Sequence, residues 1–526
     1  MNDKTLTYNV VPVPTAILRL LEDNTFKNIN PEKVEKLFHT LFFMLAYPSS
    51  KADENLAAKK LTVLSNALKV KTAKFRNHLL NSGLPFMEIN VQFTHDCLIW
   101  LQQHPHANVA FQNFIDDKVN LSELLSLTLN VAERAETTAG LNAANLLMSL
   151  GVQQPMTLDF LLNEFQRVSQ PLVKDYLFDK VGLQCTIKPK NKFFSLAYNR
   201  FKIADTFYHR EIVKRFDHYE LVNKTLPATE KLSMQQQNKL VLTIKNAMAL
   251  TNRETDTVTY MDENTLHYYQ LERGISVAIY GMTSQRQLPF ESYIGYTLFK
   301  NGFPCAYGGG WVFGKRALFG INIFEWFRGG ESGMVLCQLL RVYRQVFDID
   351  YFEVEPYQYG LDNPDGITSG AFWFYYKYGF CPVDKVLKKI AEREFQKITT
   401  DKNYRTPEKI LLRFTESNIA LILEKVNQTT IVEVTSLISR MIRKQFKGNR
   451  MQAERECVSL FLQKAQRVVN RTENSEALLE VALLCEAYKI KDDETIRLLY
   501  TMAQTKPVSP YGYQRMLLKF LEKISV

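Results

Sequence analysis

The chain has 526 residues, 46% of them hydrophobic and 23% charged, a balance that excludes a mainly disordered, collagenous or disulfide-scaffold protein. Its length allows about three domains, each able to bury a core. Sixty-five Lys and Arg against 55 Asp and Glu give a net charge of +10, which admits nucleic acid, a membrane surface or an acidic ligand without naming one.

The first 21 residues (MNDKTLTYNVVPVPTAILRLL) have no cationic start followed by an apolar stretch, so no signal peptide is expected. The most apolar run, residues 41–47 (LFFMLAY), is far shorter than the ~18 residues of a membrane span. The seven cysteines form no C-x-x-C pair, which predicts free thiols in a reducing compartment and a soluble, cytoplasmic protein. Apolar residues at 57, 61, 64 and 68 predict a helix. Residues 410–426 and 477–488 read the same way. The histidine pairs His95-Asp96 and His104-Pro105-His106 lack an H-E-x-x-H pattern or cysteine partners, so no metal is expected.

Glycine divides the chain. Fourteen of its 22 glycines and three of its four tryptophans lie between residues 295 and 379. Four regions follow: a helical N-terminal region (1–180), a basic connector (181–255), a mixed α/β core (256–395) and a helical C-terminal region (396–526). Pro189, Pro227, Pro382 and Pro407 fall near the borders.

Within the core, residues 275–282 and 293–300 read as strands. Asn301-Gly302 is a hairpin signal, because both turn positions need positive φ. Residues 303–313 return as a third strand, with glycines where a bulge or bend would sit. Residues 317–327 (ALFGINIFEWF) read as a long buried fourth strand. The turn Arg328-Gly329-Gly330-Glu331-Ser332-Gly333 then opens a helix carrying Val335, Leu339, Val342 and Val346, an arrangement that aims backbone N–H groups and a positive dipole end at an anion. Residues 351–355 form a fifth strand. After a loop (357–367), a short helix carries Ala371, Phe374, Tyr375 and Tyr378 and ends at Gly379.

This succession resembles the GNAT superfamily of acyl-coenzyme A-dependent N-acyltransferases over residues 260–390. The turn at 328–333 is similar to the family's [RQ]-x-x-G-x-[GA] pyrophosphate loop, with Glu331 in place of the middle glycine. Ala371-x-x-x-Tyr375-x-x-x-Gly379-Phe380 is similar to its A-x-x-x-Y-x-x-x-G-F signature. Thr368 stands where the family has an asparagine, and Asn363 is the nearest candidate for that role. The resemblance implies an α+β fold with a mixed central sheet of GNAT type, flanked by all-helical regions. It implies acetyl-CoA or another acyl-CoA as co-substrate, held by Arg328, Gly329, Gly330, Glu331, Ser332, Gly333 and Asn363. Strands splayed around residues 324–327 and 352–355 would admit the thioester. A backbone N–H near Trp326 or Phe327 would polarise its carbonyl. Tyr375 would protonate the leaving thiolate, and Glu325, Glu353 or Glu355 would take the proton of an amine acceptor. Burial among apolar neighbours would raise the carboxyl of Glu325 towards neutrality. Glu353 and Glu355 share one strand face.

The charge is unevenly spread. Residues 1–255 carry 30 basic and 24 acidic side chains, residues 396–526 carry 22 and 15, and the core carries 13 and 16. Residues 186–215 and 436–455 are basic clusters, the first interleaved with Phe193, Phe194, Tyr198 and Phe201. Such mixing suits single-stranded nucleic acid or an acidic partner. The competing reading is therefore a non-catalytic GNAT-fold scaffold whose basic flanks bind nucleic acid or a protein.

Overall fold

The computed structural model describes residues 30–115, 120–425, 429–469, 471 and 473–524. The stretch on which the signal-peptide reading rests lies outside the described residues. In chain order the strands are β1 (Ile89–Val91), β2 (Ala107–Phe114), β3 (Leu183–Pro189), β4 (His267–Gln270), β5 (Ile275–Tyr280), β6 (Ser292–Lys300), β7 (Phe303–Phe313), β8 (Arg316–Ile323), β9 (Tyr351–Val354), β10 (Cys381–Pro382) and β11 (Ile419–Ile422). The protein is a mixed α+β molecule. β4 to β11 form one sheet in the order β10-β11-β9-β8-β7-β6-β5-β4. Its neighbours are antiparallel except β8 and β9, which run parallel.

The β6–β7 hairpin turns where the Asn-Gly pair predicts. Asn301 and Gly302 take φ of 45° and 84°, and the Asn301 side chain donates to the carbonyls of Ala46 and Phe207 at 2.8 and 3.0 Å. The glycines of β7 do not mark a bulge. The register of β6 and β7 shifts at Leu298 and Phe299 instead, and Gly308–Gly310 pair regularly. A Cβ at Gly308 would overlap the Tyr296 hydroxyl and the Gly320 carbonyl, and one at Gly309 would overlap the Tyr293 ring. These positions are small so that aromatic rings can lie on the sheet.

Residues 317–327 are not one strand. β8 stops at Ile323 and Glu325–Phe327 form a 3-10 turn. Trp326 stacks on Phe324, with centroids 5.1 Å apart, and faces His39 and Phe42 of the helix Pro31–Ala46. Packing these rings against that helix takes the chain out of the sheet.

The N-terminal region is not all-helical either. β1, β3 and β2 form a separate three-stranded sheet in that order, in which Leu183, Cys185 and Ile187 of β3 face a core with helices His95–Gln102 and Thr157–Gln166. The C-terminal region also contributes a strand. Of residues 410–426, only Glu408–Phe414 marks a helix, and β11 inserts between β9 and β10. Ile419 and Leu421 are buried and the segment pairs with β9 on one side and β10 on the other, a gain that outweighs its helical spacing. Residues 426–428 lie outside the described residues. The connector is packed structure as well, since its helix Met234–Leu250 buries Leu240 and Ile244 against the large sheet and Leu250 against the N-terminal core.

The predicted helix at 56–68 runs Lys51–Lys69 and buries Ala57, Leu61, Leu64 and Leu68. That at 477–488 runs Leu478–Ala487 and packs with helices Ile431–Phe446, Arg450–Ala465, Asp493–Thr505 and Pro510–Ile524 around a third core. Two polar seams join the parts. Arg286 pairs with Asp96 at 3.1 Å and with Asp175, its guanidinium 3.8 Å over the Tyr260 ring. Gln514 donates to the carbonyls of Gly314 and Phe347 at 2.6 and 2.8 Å. Among the described residues no helix is long and apolar enough to cross a membrane.

The contact of Gly308 with a backbone carbonyl leaves little room for relaxation. Gly308→Ala should therefore cost about 1–3 kcal/mol in stability, read as a lower urea midpoint with unchanged slope.

Candidate active site at the diverging strands

β8 and β9 pair only through Arg316 opposite Tyr351, Ala317 opposite Phe352 and Leu318 opposite Glu353. Beyond Leu318 the strands part, and β8 continues with one edge free of β9. Side chains meet that edge. The Ile321 N–H donates to the Tyr375 hydroxyl at 3.3 Å, and the Ile323 carbonyl accepts from Arg328 Nε at 3.2 Å. Gln358, which the sequence reading passed over, lies against Gly320, where a Cβ would overlap its amide group.

Tyr375 reaches this place because its helix, Ala371–Lys377, is stopped by a double turn bond. The Gly379 N–H donates to the Tyr376 carbonyl and the Phe380 N–H to the Tyr375 carbonyl, with φ of 91° at Gly379. That is a Schellman end, which needs the glycine. The Tyr375 ring packs edge-on against Phe374 and Phe380 and is 2% exposed. Burial pushes its phenol up to about 12, and the bond from the Ile321 N–H offsets part of that rise. The oxygen accepts from Ile321, while its own proton has no acceptor among the described residues.

The glycine-rich turn is held from behind. Glu331 points into the protein, its side chain fully buried, and accepts from Lys300 Nζ at 2.7 Å, from Arg273 Nη2 and Nε at 2.6 and 2.9 Å, and from the Val213 N–H at 3.0 Å. Burial pushes this carboxyl up, but Lys300, Arg273 and the Val213 N–H together hold it well below the usual range, at about 2. Burial also pulls the Lys300 ammonium down, with Glu331 opposing the fall. Burial lowers the imidazole of His209, 3.8 Å from Glu331, to about 3, so it is neutral beside the pair. The middle position of the turn is thus an anchor, and its carboxylate does not face a ligand.

Aromatic rings cover part of the turn. The Glu331 N–H donates to the Tyr47 hydroxyl at 3.2 Å, and Cβ atoms at Gly330 and Gly333 would overlap Tyr47 and Tyr378. Gly329 and Arg328 are exposed. Lys214 donates to the carbonyls of Gly329 and Gly330, both at 2.6 Å, and Lys377 to the Lys214 carbonyl at 3.2 Å. Arg328 pairs with Asp365 at 3.3 Å, and Ser332 Oγ donates to the Arg328 carbonyl. Lys214 lies 115 residues before Gly329 in the chain, so only the fold shows that the two meet.

Several expected residues stand elsewhere. The side chain of Glu325 is 66% exposed on the 3-10 turn, 4.0 Å from His39, so the burial that would have made it a base is absent. The Phe327 N–H is bonded to the Phe324 carbonyl at 2.9 Å and is not free to polarise a thioester. Asn363 caps the helix Pro364–Thr368, accepting from the Gly366 N–H and donating to the Tyr357 carbonyl. Glu353 accepts from Asn418 at 2.7 Å and pairs with Arg316 at 3.3 Å. Glu355 is exposed at the end of β9. His95 bonds Asp96 and the Leu162 carbonyl, and His104 bonds Asn246, which are packing roles. Of the aromatic residues in the first basic cluster, Phe194 and Phe201 are buried and only Phe193 is exposed.

Glu331→Gln would leave Lys300 and Arg273 facing a neutral amide, so it should cost about 3–5 kcal/mol at pH 7. The stability that depends on the ionised carboxylate is complete above its ordinary value of 4.5 and is lost as pH falls towards about 2. The gap between wild type and variant in denaturant unfolding should therefore narrow across that window. No protein-family model, curated protein or solved structure matches the chain.

Proposed function

We propose that the chain is a GNAT-type N-acyltransferase that moves an acyl group, most simply acetyl, from coenzyme A to an amine. The observation that carries this reading is the Tyr375 hydroxyl, placed with an unspent proton on the free edge of β8 where the parallel pair diverges. A fork of that kind would admit an extended thioester arm beside β8, where Tyr375, Arg328 and Gln358 meet the strand. The order of the large sheet and the helix Ser332–Phe347 after the glycine-rich turn agree with the resemblance. Glu331 is no obstacle to phosphate, because its carboxylate is turned inward and paired.

The coenzyme phosphates are assigned to the exposed side of the turn, at Arg328 and Gly329, where Lys214 and Lys377 add positive charge. The amine attacks the thioester carbonyl, the C–S bond breaks and the coenzyme leaves as thiolate. A phenol near 12 is a weaker acid than a thiol of ~8.5, so Tyr375 acts by hydrogen bonding to the developing thiolate, with solvent completing protonation. Glu355, exposed and unpaired among the described residues, is the glutamate left to receive the proton of the amine, directly or through water.

The scaffold reading draws support from Tyr47 and Tyr378, whose rings close over Gly330 and Gly333. Titration calorimetry separates the two. Coenzyme A and acetyl-CoA should bind with micromolar affinity, and absence of heat at about 1 mM ligand would leave the scaffold. Lys214→Met together with Lys377→Met should weaken coenzyme A about tenfold, a loss of ~1.4 kcal/mol. Tyr375→Phe should lower turnover at least as much while leaving coenzyme affinity unchanged. It also strands the buried Ile321 N–H, so its denaturation midpoint should report a loss of about 1–3 kcal/mol.

A further inference from the structure

A second site lies on the open face of the three-stranded sheet, away from the fork and independent of the acyl-transfer reading. Leu183, Cys185 and Ile187 of β3 face the N-terminal core, so alternation turns Gln184, Thr186 and Lys188 to the other side. Asn90 of β1 and Gln112 of β2 share that side, because the Thr186 hydroxyl lies 2.9 Å from Asn90 Oδ1 and 3.1 Å from Gln112 Oε1. Asn108 stands opposite Lys188 in the register. One step on, the Lys190 N–H donates to the His106 carbonyl at 2.8 Å. Asn108, Ala110 and Gln112 are exposed along this face.

Its chemistry is cationic and rich in amides. β1, β2 and β3 contain no carboxylate, and Glu88, one residue before β1, is exposed with no ion pair among the described residues. Lys188 and Lys190 are exposed. The Lys188 ammonium has no partner among the described residues, and that of Lys190 meets the His104 carbonyl at 3.2 Å. Other cations of the same basic cluster are engaged elsewhere: Arg200 and Lys202 face Glu54 at 3.8 and 4.0 Å, and Lys214 holds the glycine-rich turn. At the end of the face the Phe193 ring is 51% exposed and lies beside His106, with centroids 5.6 Å apart. Asn191 fixes both, accepting from the Phe193 N–H at 2.9 Å and meeting His106 Nδ1 at 3.1 Å. The Lys192 ammonium stands at the same end, 4.8 Å from the Tyr198 ring and 5.8 Å from that of Phe193.

We infer that this face binds single-stranded nucleic acid, with phosphates on Lys188, Lys190 and Lys192, a base stacked on Phe193 and base edges on Asn108 and Gln112. An exposed ring beside a row of cations is a stacking platform along a phosphate track. Amides both donate and accept, which fits the edges of unpaired bases. A duplex hides those edges and base faces. A protein partner needs an apolar centre, and this face offers little beyond Ala110 and the Phe193 ring.

The test uses the full chain and fluorescence anisotropy with labelled probes: oligouridylate and oligothymidylate of about twelve nucleotides, a mixed-sequence DNA duplex of the same length, and polyglutamate. At least one single strand should bind saturably, about tenfold or more tighter than the duplex and the polyglutamate, and the tighter of the two names the sugar. Changing Lys188, Lys190 and Lys192 together to Gln should weaken that binding and flatten the slope of log affinity against log salt by about 2. Phe193→Ala, at an exposed ring, should weaken it about tenfold with the salt slope unchanged, and Phe193→Tyr should restore it. Lack of saturation at about 100 μM protein, equal or tighter binding of the duplex or polyglutamate, or full affinity in both the lysine and Phe193→Ala variants would overturn the inference.

Discussion

One buried carboxylate draws five distant segments together. Glu331 opens the helix Ser332–Phe347, and its partners come from the end of β6 (Lys300), the turn before β5 (Arg273) and the connector (Val213), while its own N–H is taken by Tyr47 from the N-terminal helix. A carboxylate removed from water is costly to bury unless its oxygens are filled with charge-assisted bonds. Here two cations and a backbone N–H fill them, so the five segments must arrive together. The glycine-rich turn thereby takes one conformation, with carbonyls towards Lys214 and Arg328 and Gly329 outward.

That anchor shapes the proposed site. A turn held from behind by ion pairs cannot also offer that carboxylate to a ligand, which removes the conflict between Glu331 and a pyrophosphate. The same packing brings Tyr47 and Tyr378 over Gly330 and Gly333 and confines the open surface to one side. On the other flank, Tyr375 is fixed by its glycine-stopped helix and by ring contacts, so the hydroxyl meets β8 at one residue, Ile321. Burial raises that phenol, so in the proposed reaction its part is hydrogen bonding to the sulfur rather than proton transfer.

Much of the local structure was legible along the chain. The Asn301-Gly302 turn, β7, the helix after the glycine-rich turn and the short aromatic helix ending at Gly379 each carry signals within a few residues. The errors share one cause. The 3-10 turn at 325–327, β11 at 419–422 and β1 to β3 depend on what lies across from them, and an apolar run does not reveal its neighbour. Glu325 read as buried because its neighbours in sequence are apolar, but the chain turns where Trp326 packs on the N-terminal helix and leaves the glutamate outside. Asn363 and Glu353 went likewise to local capping and cross-strand pairing.

The sequence alone determined a mixed α+β core rich in glycine and tryptophan between more basic flanks, an Arg-initiated turn before a helix, and a tyrosine four residues before a glycine. These are properties of spacing and composition, which act over one or two turns of chain. The tertiary structure alone decided that Glu331 faces inward, that Lys214 and Lys377 stand beside the turn, and that Gln358 lies in the fork. Each of those facts joins residues tens to more than 100 positions apart, or settles which side of one residue is buried. Burial and charge pairing are set by which segments exclude water between them, and no local pattern states that.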